Sequence, residues 1–305
     1  MISSNVEVLK EKLYEKIAEK GKSVDTIVSI VVKNVSSDIV NYILKGLTNI
    51  KNIVLALPFT TYGWYLAIYE IVGKAEDDKI IVYYNSENPY WTASIIVHEL
   101  THKALNIKHK TITDLIIDET LAYLASFKSN KFLELYEKGI VEIIKLLSKY
   151  MVPREISEHD LANIYIPRIL AKNLISYNFS KVVKEAKSNF NNLVILWLKS
   201  NPNKILKTAL SVALSAIGLS PETYGLEKQK HNVRTITTSG IIGKEIVFEG
   251  VDSNYLEMKK MLEKAAKEPN NVRKTLSPWW KEIEPIADHL EAYIIWRRQN
   301  YGEIL

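Results

Sequence analysis

The residues best suited to chemistry lie in Ser94-Ile95-Ile96-Val97-His98-Glu99-Leu100-Thr101-His102-Lys103-Ala104-Leu105, where two histidines stand four apart and a glutamate follows the first. On an α-helix, positions four apart are separated by about 40° in projection and one turn along the axis. His98 and His102 would then project side by side, close enough to share one ion. Glu99 is turned about 100° from His98, which sets its carboxylate beside such an ion rather than on it. Zinc suits two imidazoles and a carboxylate, with a fourth position left to water. The ion makes that water acidic, and a neighbouring glutamate can take its proton as it attacks a polarised carbonyl. The 305 residues include no cysteine, so a thiolate site and a disulfide framework are both excluded.

With six histidines in the chain, roughly one such sequence in a hundred would contain this motif by chance, so its setting matters. Ile95, Ile96, Leu100 and Leu105 give the segment an apolar face. Ionisable groups carried into such a face require compensation. The plain alternative is a pair of satisfied structural histidines in a helical protein, which predicts no bound metal.

The elements that must position these residues are legible in outline. Asn88-Pro89 is a helix-start signature, a side-chain cap followed by a residue that needs no donor, and predicts a helix from Pro89 to about Ala104. A second helix is expected from Thr113, capped by its hydroxyl, to about Phe127. Before them, Val6 to Lys20 reads as an amphipathic helix, Val24 to Val32 as an apolar-rich segment, and Tyr62 to Val72 as helical. Asn52 to Leu57 and Lys79 to Tyr84 read as short strands. After Lys131 the pattern is helical to about Leu219, broken at Pro153 and Pro202, with Pro167 a kink or boundary. Alternation around Ser239-Gly240 and Gly243 predicts a β-hairpin at 233–249, and helices resume at 254–267 and 277–300. The expected fold is α+β and predominantly helical. It divides into an N-terminal helical segment (1–50), a small mixed α/β lobe with the zinc-binding helix (51–130) and a mainly helical lobe (131–305).

The pairing of His98-Glu99-Leu100-Thr101-His102 with Asp118-Glu119-Thr120-Leu121-Ala122-Tyr123 resembles the gluzincins, the thermolysin-like and aminopeptidase-like zinc peptidases. The resemblance covers about Lys79 to Lys128, an eighth to a sixth of the chain. It implies zinc ligands at His98, His102 and Glu119 and a catalytic base at Glu99. It also implies that Lys79 to Tyr84 is an edge strand able to pair with an extended peptide. Thr120 stands where the family carries glycine, and Lys103 is a charge where it usually has none. The related class with a third histidine six residues after the second is not matched, because Lys108 stands there. No glycine-acidic-asparagine segment of the kind that holds a free amino terminus is present, which leaves exopeptidase activity without support.

Two neighbours compete with Glu119 as third ligand. Asp118 diverges from it by about 100° on a helix, and Leu115, Ala122 and Ala125 share or border the side of Glu119. His109 would sit about 10 Å beyond His102 if the first helix continued. It could return only if that helix ended early, which Asn106 leaves open. Asp118 and Tyr123 flank the ligand and are candidates to orient His98 or His102 from behind; their plain readings are a solvated helix residue and a core aromatic. Tyr165, Tyr177, His159 and His231 are unranked candidates for stabilising an oxyanion. Asp288 and His289, near Trp279, Trp280 and Trp296, read as a packing helix.

Forty basic and thirty-five acidic residues leave a net charge of +5 without a concentrated block, too mild and too dispersed for nucleic acid. The Lys, Glu and Ile content and the missing cysteine fit heat adaptation. Met1 to Lys20 contains no apolar run, and the longest apolar stretch, Leu206 to Leu219, is too short to span a bilayer. These features predict a cytoplasmic protein that engages neither membrane nor nucleic acid. The function expected is zinc-dependent hydrolysis of peptide or protein substrates. The alternative is a non-catalytic zinc-binding regulatory or interaction protein that keeps the same fold.

Overall fold

Periodic apolar residues build three helices before the first strand in the computed structural model, which describes residues 2–56, 73–84, 89–128, 161–202 and 204–227. These are α1 (Ile2–Lys16), α2 (Lys22–Asn34) and α3 (Val40–Thr48). The segment around Val24 to Val32 is thus helical, and it turns Val24, Ile27, Val28, Ile30 and Val31 inward. The expected helix at 62–72, the hairpin at 233–249 and the helices at 254–267 and 277–300 lie outside the described residues. So do His159, His231, Asp288, His289 and the three tryptophans of the last segment.

The β-branched runs form a three-stranded sheet of β1 (Asn52–Ala56), β2 (Gly73–Ala75) and β3 (Lys79–Tyr83), in the order β1-β3-β2. β1 runs parallel to β3 with Asn52 opposite Lys79 and Ala56 opposite Tyr83. β2 runs antiparallel to β3, with Lys74 opposite Ile81. The implied edge position of Lys79 to Tyr84 is therefore incorrect: β3 is the middle strand, and Ile80 to Tyr83 are buried in a continuous apolar run. The outer side of β1 is covered by the end of the first helical segment. There the Ala18 N–H donates to the Ile53 carbonyl and the Leu55 N–H to the Glu19 carboxylate. Among the described strands, β2 is the remaining edge.

Two antiparallel helices follow, α4 (Pro89–Leu105) and α5 (Ile112–Phe127). α4 is buried on nearly all sides, between α2 and α3, the strands β2 and β3, and α5. Gly46 makes this possible where α3 crosses α4, since a Cβ there would collide with the Leu100 carbonyl. Asn106, with φ 47°, ends α4 in the left-handed conformation that asparagine tolerates. The cap of α5 is Thr111 rather than Thr113. Its hydroxyl accepts from the Asp114 N–H while the Asp114 carboxylate accepts from the Thr111 N–H, a reciprocal capping box.

The remaining described helices close over α5. A π-helical turn (Leu161–Tyr165) leads into α6 (Ile166–Leu174), with Pro167 in its first turn, where a missing N–H costs nothing. α7 (Phe179–Ser188) and α8 (Phe190–Lys199) also pack on α5, and α9 (Lys204–Ala216) packs on α6. One apolar core runs from Leu9 to Leu226. The architecture is α+β and predominantly helical, as expected. Among the described residues no helix is long and apolar enough to cross a membrane.

Candidate metal centre

α4 and α5 lie antiparallel, so residues whose numbers rise along one meet residues whose numbers fall along the other. The Ser126 hydroxyl faces the Ser94 carbonyl, Glu119 faces His98, and Asp118 faces His102. The two histidines project side by side, with Nε2 atoms 3.1 Å apart. Glu119 Oε2 is 3.4 Å from His98 Nε2, and Oε1 is 3.7 Å from His102 Nε2. Ligand atoms about 2.0–2.1 Å from a tetrahedral ion lie roughly 3.3 Å from one another. The three donors are spaced for one ion, and they form the one such cluster among the described residues.

The surroundings demand positive charge. Glu99, Asp118 and Glu119 place three carboxylates around two imidazoles. Burial alone would pull the His102 pKa down, yet Asp118, then Glu119 and Glu99, hold it up at about 10. Burial pushes the Glu99 carboxyl above its usual range, and the negative charges of Glu119 and Asp118 push the same way, against the two histidines. Such a pocket is completed by a proton or by a cation.

Tautomer and ring orientation follow from the partners behind the histidines. Asp118 Oδ2 lies 2.9 Å from His102 Nδ1 and accepts a hydrogen bond from it, so Nε2 is the ring nitrogen that faces His98 and Glu119. Burial raises the Asp118 pKa, but the charge and hydrogen bond of His102 and the hydrogen bond of His109 outweigh it, and the carboxyl is held below its usual range. Tyr123 packs edge-on against the His98 ring at 4.7 Å. Of the two flanking candidates, Asp118 thus touches His102 and Tyr123 touches His98.

Lys103 and Thr120, where the sequence departs from the pattern it resembles, each have a partner in the fold. Lys103 points away from the cluster and donates to the Asp77 carbonyl. The buried Thr120 hydroxyl donates to the Ile116 carbonyl. His109 folds back after Asn106, as an early helix end allows, but it meets Asp118 Oδ2 at 2.8 Å rather than joining the three donors.

Glu99 is buried within reach of the charges of the donor cluster and also borders β2. A Cβ built on Gly73 would lie 2.5 Å from Glu99 Oε1 and 2.6 Å from Ile95 Cγ2. Sequence reasoning missed this approach, since residues 73 and 99 belong to different elements and no local pattern links them. It also missed Arg168, whose guanidinium lies 5.6 Å from the centre of the Tyr123 ring. Of the oxyanion candidates, Tyr165 is buried at the end of the π-helical turn, and Tyr177 sits beneath the Lys181 ammonium with its carbonyl taken by Lys128. Comparison of the chain with protein-family models, with curated proteins and with solved structures finds no match.

Proposed function

We propose that this chain is a zinc-dependent peptidase of the gluzincin kind. The observation that carries the reading is the convergence of His98, His102 and Glu119 on one point, with Glu99 buried close enough to feel the charges of all three. Two imidazoles, a carboxylate and no thiolate are a donor set that suits zinc in a hydrolytic site. Bound zinc supplies Lewis-acid activation of water and of the scissile carbonyl.

The chain's own residues divide the remaining work. Glu99 accepts a proton from the attacking water and returns it to the leaving amine. Burial, its largest influence, raises its affinity for a proton above that of an ordinary glutamate, the direction a general base needs. Asp118 keeps His102 in the tautomer that offers Nε2, and Tyr123 holds the His98 ring by its edge. The substrate is a peptide or protein segment in extended form. β2, rather than β3, is the strand along which it would lie, since β2 is the described edge and runs against Glu99.

The test is digestion of a peptide library by the zinc-loaded protein, with Glu99→Gln alongside. Hydrolysis is expected in the wild type and is to be lost on chelation. It should fall by about a hundredfold or more in Glu99→Gln, which keeps the size of the side chain but takes no proton. Zinc bound without cleavage of any peptide would leave the non-catalytic zinc-binding reading in its place. Cleavage at an unchanged rate in Glu99→Gln would remove Glu99 as the base.

A further inference from the structure

His109 is 43% exposed, yet its Nε2 lies 2.8 Å from Oδ2 of an aspartate that is almost wholly buried. That aspartate, Asp118, is the group behind His102. Its Oδ1 is buried with no hydrogen-bond partner among the described residues. Both of its hydrogen bonds therefore fall on Oδ2, one from the His102 Nδ1–H and one from the His109 Nε2–H.

We propose that His109 is a positioning residue for the metal centre, pinning the Asp118 carboxylate that in turn sets the His102 ring. The inference rests on the metal reading of His98, His102 and Glu119. His102 cannot supply the reference for Asp118, because it is the ring being positioned. The terminal torsion of an aspartate is broad and rotates with little cost unless a second group holds it. His109 is that group, and the backbone holds His109. Asn106 ends α4 with φ 47° and starts the connection that carries it back. At the far end, the N–H groups of Lys110 and Thr111 donate to Asp114 Oδ2 at 3.1 and 2.8 Å. The connection is thereby tied to both helices, and it delivers one imidazole to the buried carboxylate. An outer partner of this kind tunes a metal site through the orientation and basicity of its ligand.

The experiment is a competitive chelator titration of zinc on the wild type, His109→Ala, His109→Gln, Asp118→Ala and the double variant His109→Ala/Asp118→Ala. His109→Ala should weaken zinc about tenfold. His109→Gln, whose amide N–H can take the place of Nε2–H, should stay close to the wild type. In the Asp118→Ala background, His109→Ala should cost nothing further, because the link is already cut. The visible spectrum of the cobalt-substituted protein should shift in His109→Ala and not in His109→Gln. Unchanged zinc affinity in His109→Ala would overturn the role, as would equal losses in the Ala and Gln variants. An undiminished effect of His109→Ala without Asp118 would overturn it too. A wild type that takes up no zinc would overturn the metal reading itself, and this inference with it.

Discussion

Two imidazole nitrogens 3.1 Å apart either share a proton or share an ion, and the groups around them decide which charge is retained. Here Asp118, Glu119 and Glu99 hold positive charge strongly, as the His102 pKa of about 10 reflects. Glu119 alone among these carboxylates lies within reach of both Nε2 atoms. Glu119→Ala is therefore expected to lower zinc affinity by more than about tenfold, measured against a competing chelator. Retention of full affinity would mean that a different side chain completes the site. Asp118 instead faces the other nitrogen of the His102 ring, with its Oδ2 2.9 Å from Nδ1.

At the scale of the element, the centre depends on how closely other segments approach α4. β2 reaches it through Gly73, where the side chains of Glu99 and Ile95 occupy the space of a Cβ. Gly73→Ala should push the Glu99 carboxylate from its place while leaving the three donors untouched. Under the proposed hydrolysis, with Glu99 as its base, the expected outcome is a kcat reduced at least tenfold with zinc affinity unchanged, since proton transfer is sensitive to small displacements of the base. Overpacking against Ile95 should also cost about 1–3 kcal/mol of stability, read from urea unfolding. A variant with wild-type kcat would show that the Glu99 position is not set by β2. The cap of α5 acts at the other end: Thr111 and Asp114 fix where that helix begins, and so how far along it Glu119 stands.

Across the whole molecule, the helices that carry the candidate metal ligands and the later helices are joined by a polar knot at the end of α5. The Lys128 ammonium pairs with Asp38 at 3.0 Å and donates to the carbonyls of Ile175 and Tyr177. Asp38 also accepts from the Phe179 N–H and from the Ser36 hydroxyl. Burial raises the Asp38 pKa, but Ser36, Phe179 and Lys128 together outweigh it and hold the carboxyl below its usual range. A depressed carboxyl contributes stability that is complete above its unfolded pKa, about 4, and is lost as pH falls through the folded value. Asp38→Asn should thus destabilise the protein by about 1–3 kcal/mol at pH 7, with the gap from wild type closing below about pH 4. Urea unfolding of both proteins at pH 7 and pH 3 measures this. A gap that stayed constant across that range would show that the charge of Asp38 contributes nothing.

How much of this was legible beforehand depends on whether the signal was local. His98, His102 and the side-by-side projection of their rings follow from helical periodicity alone, which is a property of consecutive residues. The helix starting at Pro89, the two main strand segments and the predominantly helical composition are local in the same way. The strand order was not legible, because β1 and β3 pair through backbone groups that every sequence possesses, and side-chain pattern does not say which strand lies between two others. The cap of α5 was misplaced by two residues, since Thr111 and Thr113 carry the same hydroxyl and only the closing of the box with Asp114 separates them. The convergence of Glu119 on the histidines, the contact of Gly73 with Glu99 and the return of His109 onto Asp118 join residues from different elements. The sequence by itself determined which groups were available and which faces they share along each helix. The crossing of α4 with α5 and β2 decided which of those groups meet, because that crossing is set by the shape and volume of a core assembled from the whole chain.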